Sequence, residues 1–183
     1  MKEGNSKDLS VSGGLGLISS RLTVEGPIAE DKASFMVSGR RTYADVFLNF
    51  LNDTALSSST LYFYDLNAKV NYKLGEKDQL FVSGYLGRDV LSFADNFGID
   101  WGNQTATVRW NHLFNDKLFL NSTFIYSDYD YRISIAPLEA SITSGIQDFN
   151  LKEAFTYYAN SQNTLKFGVD AIYHTFIPGG ISS

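Results

Sequence analysis

The chain has 183 residues, of which 15% are aromatic and 19% charged, with Tyr 11 and Phe 14 set against Pro 3, a balance that favours strands. There is no cysteine, so disulfide staples and thiolate metal sites are excluded. The net charge of -5 comes from acids scattered near turns, with no basic stripe to neutralise phosphates, which excludes nucleic acid as a partner.

MKEGNSKDLS at the start has no apolar h-region and is not read as a signal peptide. Nowhere is there the run of about 18 apolar residues that a membrane helix requires, so any contact with a membrane must be made by strands. The mean hydropathy of -0.13 is no objection, because half of every barrel strand faces a polar lumen.

The first motif, SGGLGLISS, sets Gly14, Gly16 and Ser19 in a spacing close to a dinucleotide fingerprint. Such a loop must open a helix, whereas a strand-like RLTVEGPI follows. The glycines are therefore read as sites of close backbone approach or a bulge in an early strand.

Next comes EGPIAEDKASFMVSGRR, a hairpin around AEDK. A four-residue turn pairs Ile28 with Ala33, Gly26 with Phe35, Val24 with Val37 and Leu22 with Gly39, an apolar set suited to lipid. The opposite face pairs Glu25 with Met36, Thr23 with Ser38, Arg21 with Arg40 and Ser19 with Thr42. Two arginines thus oppose each other on the inward face, which calls for an acidic or polar partner inside. No segment of this chain is expected to supply it, so Arg21 and Arg40 are expected to point at a plug encoded elsewhere. Arg41 has the opposite parity and is expected to snorkel to the outer headgroup zone.

YADVFLNFLND spaces Val46, Phe47, Phe50 and Leu51 on one face of a short helix within a long loop. From Leu61 to Leu74 the alternation is clean: Tyr62, Tyr64, Leu66, Ala68, Val70 and Tyr72 on one face, Asp65, Asn67, Lys69, Asn71 and Lys73 on the other. The faces of the run 79–91 stay open. Near the end, LKFGVDAIYH alternates Leu165, Phe167, Val169, Ala171 and Tyr173 with polar or small residues, Ile172 excepted.

Short polar breaks at AEDK, GEKD, FNDK and NSQN recur roughly every 40 to 46 residues. Long connections are expected around 44–60, 92–103 and 136–146. The result is an all-β chain of about eight long strands in an antiparallel up-and-down transmembrane β-barrel segment, with short periplasmic turns and long extracellular loops. A soluble β-sandwich also alternates, but strand length and loop asymmetry argue against it. Tyr43, Tyr62, Tyr64, Tyr72, Trp101, Trp110, Tyr126, Tyr157 and Tyr173 are the candidates for aromatic girdles.

Little chemistry is on offer. His112 and His174 are far apart and without carboxylate pairs at ligand spacing, so neither a zinc site nor a hydrolase is expected. Asp95, Asp100, Asp128, Asp130 and Asp148 lie in or beside the long connections, without calcium-loop spacing, and are read as solvated loop carboxylates. No catalytic, cofactor or metal residues are assigned. The candidates for lumen- or plug-facing residues are Arg21, Glu25, Arg40 and Lys69.

The segment SGGLGLISSRLTVEGPIAEDKASFMVSGRRTYAD resembles the first barrel hairpin of TonB-dependent receptors of the Bacteroidetes type, which carry a carboxypeptidase-like regulatory domain ahead of the plug. LKFGVDAIYHTFIPGG resembles a later strand of the same family, and EGPI, SF, RRTY, YLGRD and YHTFIPG are the most specific pieces of the resemblance. The resemblance implies part of a barrel of about 22 strands around a plug. It also implies a place in the cell outer membrane and TonB-energised uptake of an unknown small ligand: a metal chelate, a cofactor or a glycan. On this basis residues 1–183 are the start of a barrel domain without its plug, a fragment with no enzymatic activity. The alternative is a free-standing eight-stranded barrel, an adhesin or envelope structural protein, in which the strand near 14–28 pairs with that near 164–176.

Overall fold

The computed structural model describes residues 4–48, 57–94 and 96–182. They form one sheet of nine antiparallel strands in chain order. The strands are β1 (Ser10–Leu15), β2 (Ser19–Ala29), β3 (Ala33–Thr42), β4 (Thr60–Lys73), β5 (Asp78–Phe93), β6 (Phe97–Asn115), β7 (Leu118–Ile135), β8 (Ala140–Tyr158) and β9 (Thr164–Ser182). A short helix α1 (Ala44–Leu48) follows β3, and a 3-10 turn (Ala136–Leu138) follows β7. From β2 onward every strand has between 10 and 19 residues, so the expected eight long strands are present, with the six-residue β1 added at one edge.

Of the three connections expected to be long, one survives. β5 runs to Phe93 and β6 begins at Phe97, while β7 and β8 are separated only by the 3-10 turn and Glu139. Hence 97–103 and 140–146 are strand. Their glycines, serines and acid read as loop, yet Phe97, Ile99 and Trp101 alternate with Gly98, Asp100 and Gly102, and the backbone ladder is unbroken there. Of the helix face expected after Tyr43, Val46 and Phe47 lie in or beside the single turn of α1, and Phe50 and Leu51 lie outside the described residues.

The first hairpin keeps the expected register from Ser19↔Thr42 to Gly26↔Phe35. At the turn it departs: Ala29, not Ile28, opposes Ala33, with a register shift between Pro27 and Ala29. Pro27 has no N–H to offer the ladder, and Asp31 takes the left-handed conformation (φ 55°), one of the few side chains that tolerate it. The Lys32 N–H donates to the Ala29 carbonyl at 3.1 Å, closing the loop in three residues.

Alternation sorts the sheet into two faces, one apolar and one polar. The row Ala68–Gly84–Ala106–Tyr126–Phe149–Tyr173 crosses β4 to β9 on the apolar face. The apolar residues occupy a band, and that band slants across the rows. On β4 it runs from Tyr64 to Tyr72, centred on Ala68; on β9 it runs from Tyr173 down to Leu165, centred on Val169. Between these strands the band has dropped two rows, about 13 Å along the strand over about 24 Å across the sheet, a slant of about 30°. A band that lies level therefore requires strands tilted by about that angle, close to the tilt of barrel walls.

Aromatic residues mark both margins. Tyr62, Tyr64, Tyr126 and Tyr173 stand along one, and Tyr72, Trp110 and Tyr157 along the other. From Tyr64 to Tyr72 the rise is about 26 Å along the strand, or about 20 to 23 Å once tilted, the height of a barrel's lipid belt. One polar pair interrupts the band: Ser122 Oγ donates to Glu153 Oε1 at 2.6 Å, so each satisfies the other.

Among the described residues nothing covers the apolar face. Among the described residues the buried apolar side chains are Ala33, Phe81 and Leu120, whereas Val70, Val108, Phe124, Leu151 and Val169 are all exposed. A soluble domain buries its sheet against a second layer. No second layer is present among the described residues, and an exposed apolar surface of this extent needs an apolar solvent or partner.

Candidate functional site

The polar face is built by the odd positions of β2 and β4 and the even positions of β3, and this parity brings Arg21, Glu25, Arg40 and Lys69 to one side of the sheet. Arg21 and Arg40 are directly opposed, as expected. Glu25, Met36 and Lys69 share the next row but one. Glu25 is buried, and the Lys69 ammonium sits 5.3 Å from the centre of the Phe81 ring, where the ring face offsets part of its charge.

The acidic partner required by the arginine pair comes from this chain, contrary to the expectation. Asp65 on β4 is in register with Arg40, and its Oδ2 accepts from the Arg40 Nε and terminal nitrogen, both at 2.7 Å. The Arg40 guanidinium also lies 4.9 Å over Phe63. Arg21 has no ion pair among the described residues and remains the cation in search of an anion. Arg40 is half-exposed and screened by solvent, so its pair with Asp65 is worth under about 1 kcal/mol while that face is wet.

Hydroxyls, amides and ion pairs continue the polar face across the sheet. Thr23 and Ser38 share a hydrogen bond of 2.8 Å, Ser127 donates to Asn103 at 3.4 Å, and Lys152 pairs with Asp170 at 3.4 Å. His174 is held by Asp148 through Nδ1 at 2.6 Å. On the apolar face, at the band's lower margin, Asp78 holds His112 at 2.6 Å and also accepts from the Trp110 indole at 2.9 Å. Each histidine therefore has a carboxylate neighbour that sequence spacing concealed, because the partners are 34 and 26 residues away along the chain.

Asp100, Asp128, Asp130 and Asp148 are strand residues, not loop residues. Asp100 and Asp130 flank Arg88 on the apolar face beyond the band; Asp130 is at 3.4 Å and Asp100 is in closer contact. Asp128 accepts from the Tyr126 hydroxyl and the Gln147 amide, each at 3.3 Å. Asp148 lies on the polar face, and Asp95 lies outside the described residues. Arg41 pairs across to Tyr64 at the upper aromatic margin, its guanidinium 5.4 Å from the Tyr62 ring. Trp101, counted among the girdle candidates, belongs to the polar face: it pairs with Asp89 and Tyr131, one position out of phase with Trp110's face.

Neither a protein-family model nor a curated protein sequence matches the chain. Among solved structures, the fold is similar to BauA, the ferric preacinetobactin receptor from Acinetobacter baumannii, with a TM-score of 0.67 at 10% identity. The likeness covers 94% of this chain and 31% of that one, so the chain spans under a third of the receptor's length.

Proposed function

We propose that this chain is part of the barrel wall of a TonB-dependent outer-membrane receptor that takes up a scarce nutrient. The observation that carries the reading is the slanted apolar band with aromatic margins on a sheet that has no second layer. Fold likeness to a ferric preacinetobactin receptor supports the receptor class, and the EGPI and RRTY segments favour the Bacteroidetes type within it. The apolar face meets lipid, the polar face meets the lumen and the plug, and the ligand enters from the end where β5 to β8 rise beyond the band. The chain has no catalytic role; energy comes from the TonB complex acting on the plug.

Open edges favour this reading over the free-standing eight-stranded barrel. Within the chain β1 pairs only with β2, and β9 only with β8, so the first-to-last pairing that a small closed barrel needs is not made among the described residues. An edge as long as the 19-residue β9 is completed by a neighbouring strand.

The test is uptake by whole cells with and without the gene, using labelled ferric citrate, cyanocobalamin and maltohexaose as probes. Deletion is expected to abolish accumulation of one probe, and a protonophore is expected to abolish the same one in wild-type cells. Unchanged accumulation of all of them would refute the proposal.

A further inference from the structure

Beyond the band, β4 to β7 carry aromatic side chains on the polar face. Trp101 and Tyr131 are directly paired, Asp89 stands beside Trp101 on the next strand, and Asn103 pairs with Tyr129 one row below. Tyr85 leans along β5 so that its hydroxyl occupies the space a side chain at Gly87 would fill: a Cβ there would sit 2.3 Å from that oxygen. Trp101 and Tyr131 lie five residues past Ala106 and Tyr126, where the band ends on these strands, so they stand about 12 to 14 Å above it. A girdle residue has no business at that height or on that face. Nor do these rings form a core, since no second layer packs on them among the described residues.

The polar groups among the rings say what could rest there. Asp89 sits at the centre of the platform, and its neighbours in register, Phe63 and Trp101, are uncharged. The Arg40 guanidinium lies over the Phe63 ring but is neutralised by Asp65. Arg21, the guanidinium on this face that lacks an ion pair among the described residues, stands on β2, three strands from β5, so an anionic metal chelate resting on these rings would meet the Asp89 carboxylate first. A neutral, hydroxyl-rich ligand with flat C–H faces fits instead: the rings cover its apolar faces, while the Asp89 carboxylate and the Asn103 amide bond its hydroxyls.

We infer that the Trp101–Tyr131 platform binds a neutral carbohydrate, which makes a glycan the imported nutrient. This rests on the uptake reading above. The test is calorimetric titration of the complete purified receptor with maltohexaose, laminarihexaose and xylohexaose, and with ferric citrate as the anionic probe. One of the sugars is expected to bind, Trp101→Ala and Tyr131→Ala each to weaken it by about tenfold or more, and Asp89→Asn to change it by less than about threefold, since the amide still bonds hydroxyls. Heat-resistant gel mobility checks that each variant is folded.

Three results would overturn the inference: binding of ferric citrate tightened by Asp89→Asn, sugar binding indifferent to both aromatic truncations, or no sugar bound at all. The uptake reading fails separately, since it would survive any of these if deletion still abolished energised uptake of ferric citrate or cyanocobalamin.

Discussion

Val108→Arg is expected to destabilise the complete protein by about 2 to 4 kcal/mol, whereas Thr105→Arg, three positions away on the other face of β6, is expected to cost less than about 1 kcal/mol. Val108 lies between Val82 and Phe124 in the middle of the apolar band and is exposed there. In water an exposed valine tolerates arginine, because the charge keeps its hydration. In a lipid belt the same side chain must bend to a headgroup or drag water inward, and near mid-depth neither is cheap. Thr105 pairs with Tyr85 and Ser127 on a face already lined by hydroxyls and amides, with room for a solvated charge. Denaturant unfolding in lipid vesicles reads the difference. Equal costs for the two variants would mean that the exposed apolar face is covered by protein or water, not lipid.

The second large effect concerns Asp65. Removing it with Asp65→Ala leaves Arg21 and Arg40 opposed without the carboxylate that now holds Arg40. If the polar face is bathed in water, the loss stays below about 1 kcal/mol, the ordinary worth of a screened pair. If a plug closes over it, an uncompensated charge is stranded in a poorly hydrated space and the cost rises to about 3 to 5 kcal/mol. On the proposed plugged-barrel reading we expect about 3 kcal/mol, and expect Arg40→Ala combined with Asp65→Ala to recover at least about half, because the double variant removes the stranded charge along with its partner. A loss under about 1 kcal/mol with no recovery in the double variant would place these residues in open water.

Much of the architecture was legible because a strand's side-chain period is fixed. Alternation from Leu61 to Leu74 follows from parity, and the pairing of Arg21 with Arg40 from counting back from a turn at AEDK; both hold, the second because the register shift between Pro27 and Ala29 offsets the shorter turn. What failed was reading that depended on conformation or on a third strand. Ile28 lost its place opposite Ala33 because Asp31 adopts a left-handed turn that shortens the loop. Asp100, Asp128 and Asp130 read as loop residues because they lie in or beside stretches rich in glycine, serine and acid, and the ladder that makes them strand appears only in the pairing of β6 with β7. Asp65 was on the inward face of β4 from the outset, but pairing it with Arg40 required the β3–β4 register, which the long connection between those strands hides. Trp101 illustrates the same limit in the other direction: an aromatic residue near a margin is a girdle residue only if its parity agrees, and its parity places it beside Asp89 and Tyr131.

The most direct test of the lipid-facing wall exploits the absence of cysteine. Single cysteines at consecutive positions 64–72 on β4 and 165–173 on β9 of the complete protein, labelled with a fluorophore, can be quenched by lipids brominated at graded depths. Quenching should alternate with period two on both strands, and the deepest positions should be Ala68 on β4 and Val169 on β9, although Ala68's row meets β9 at Tyr173. Quenching without alternation, or deepest at Tyr173, would contradict a tilted wall with its apolar face in lipid.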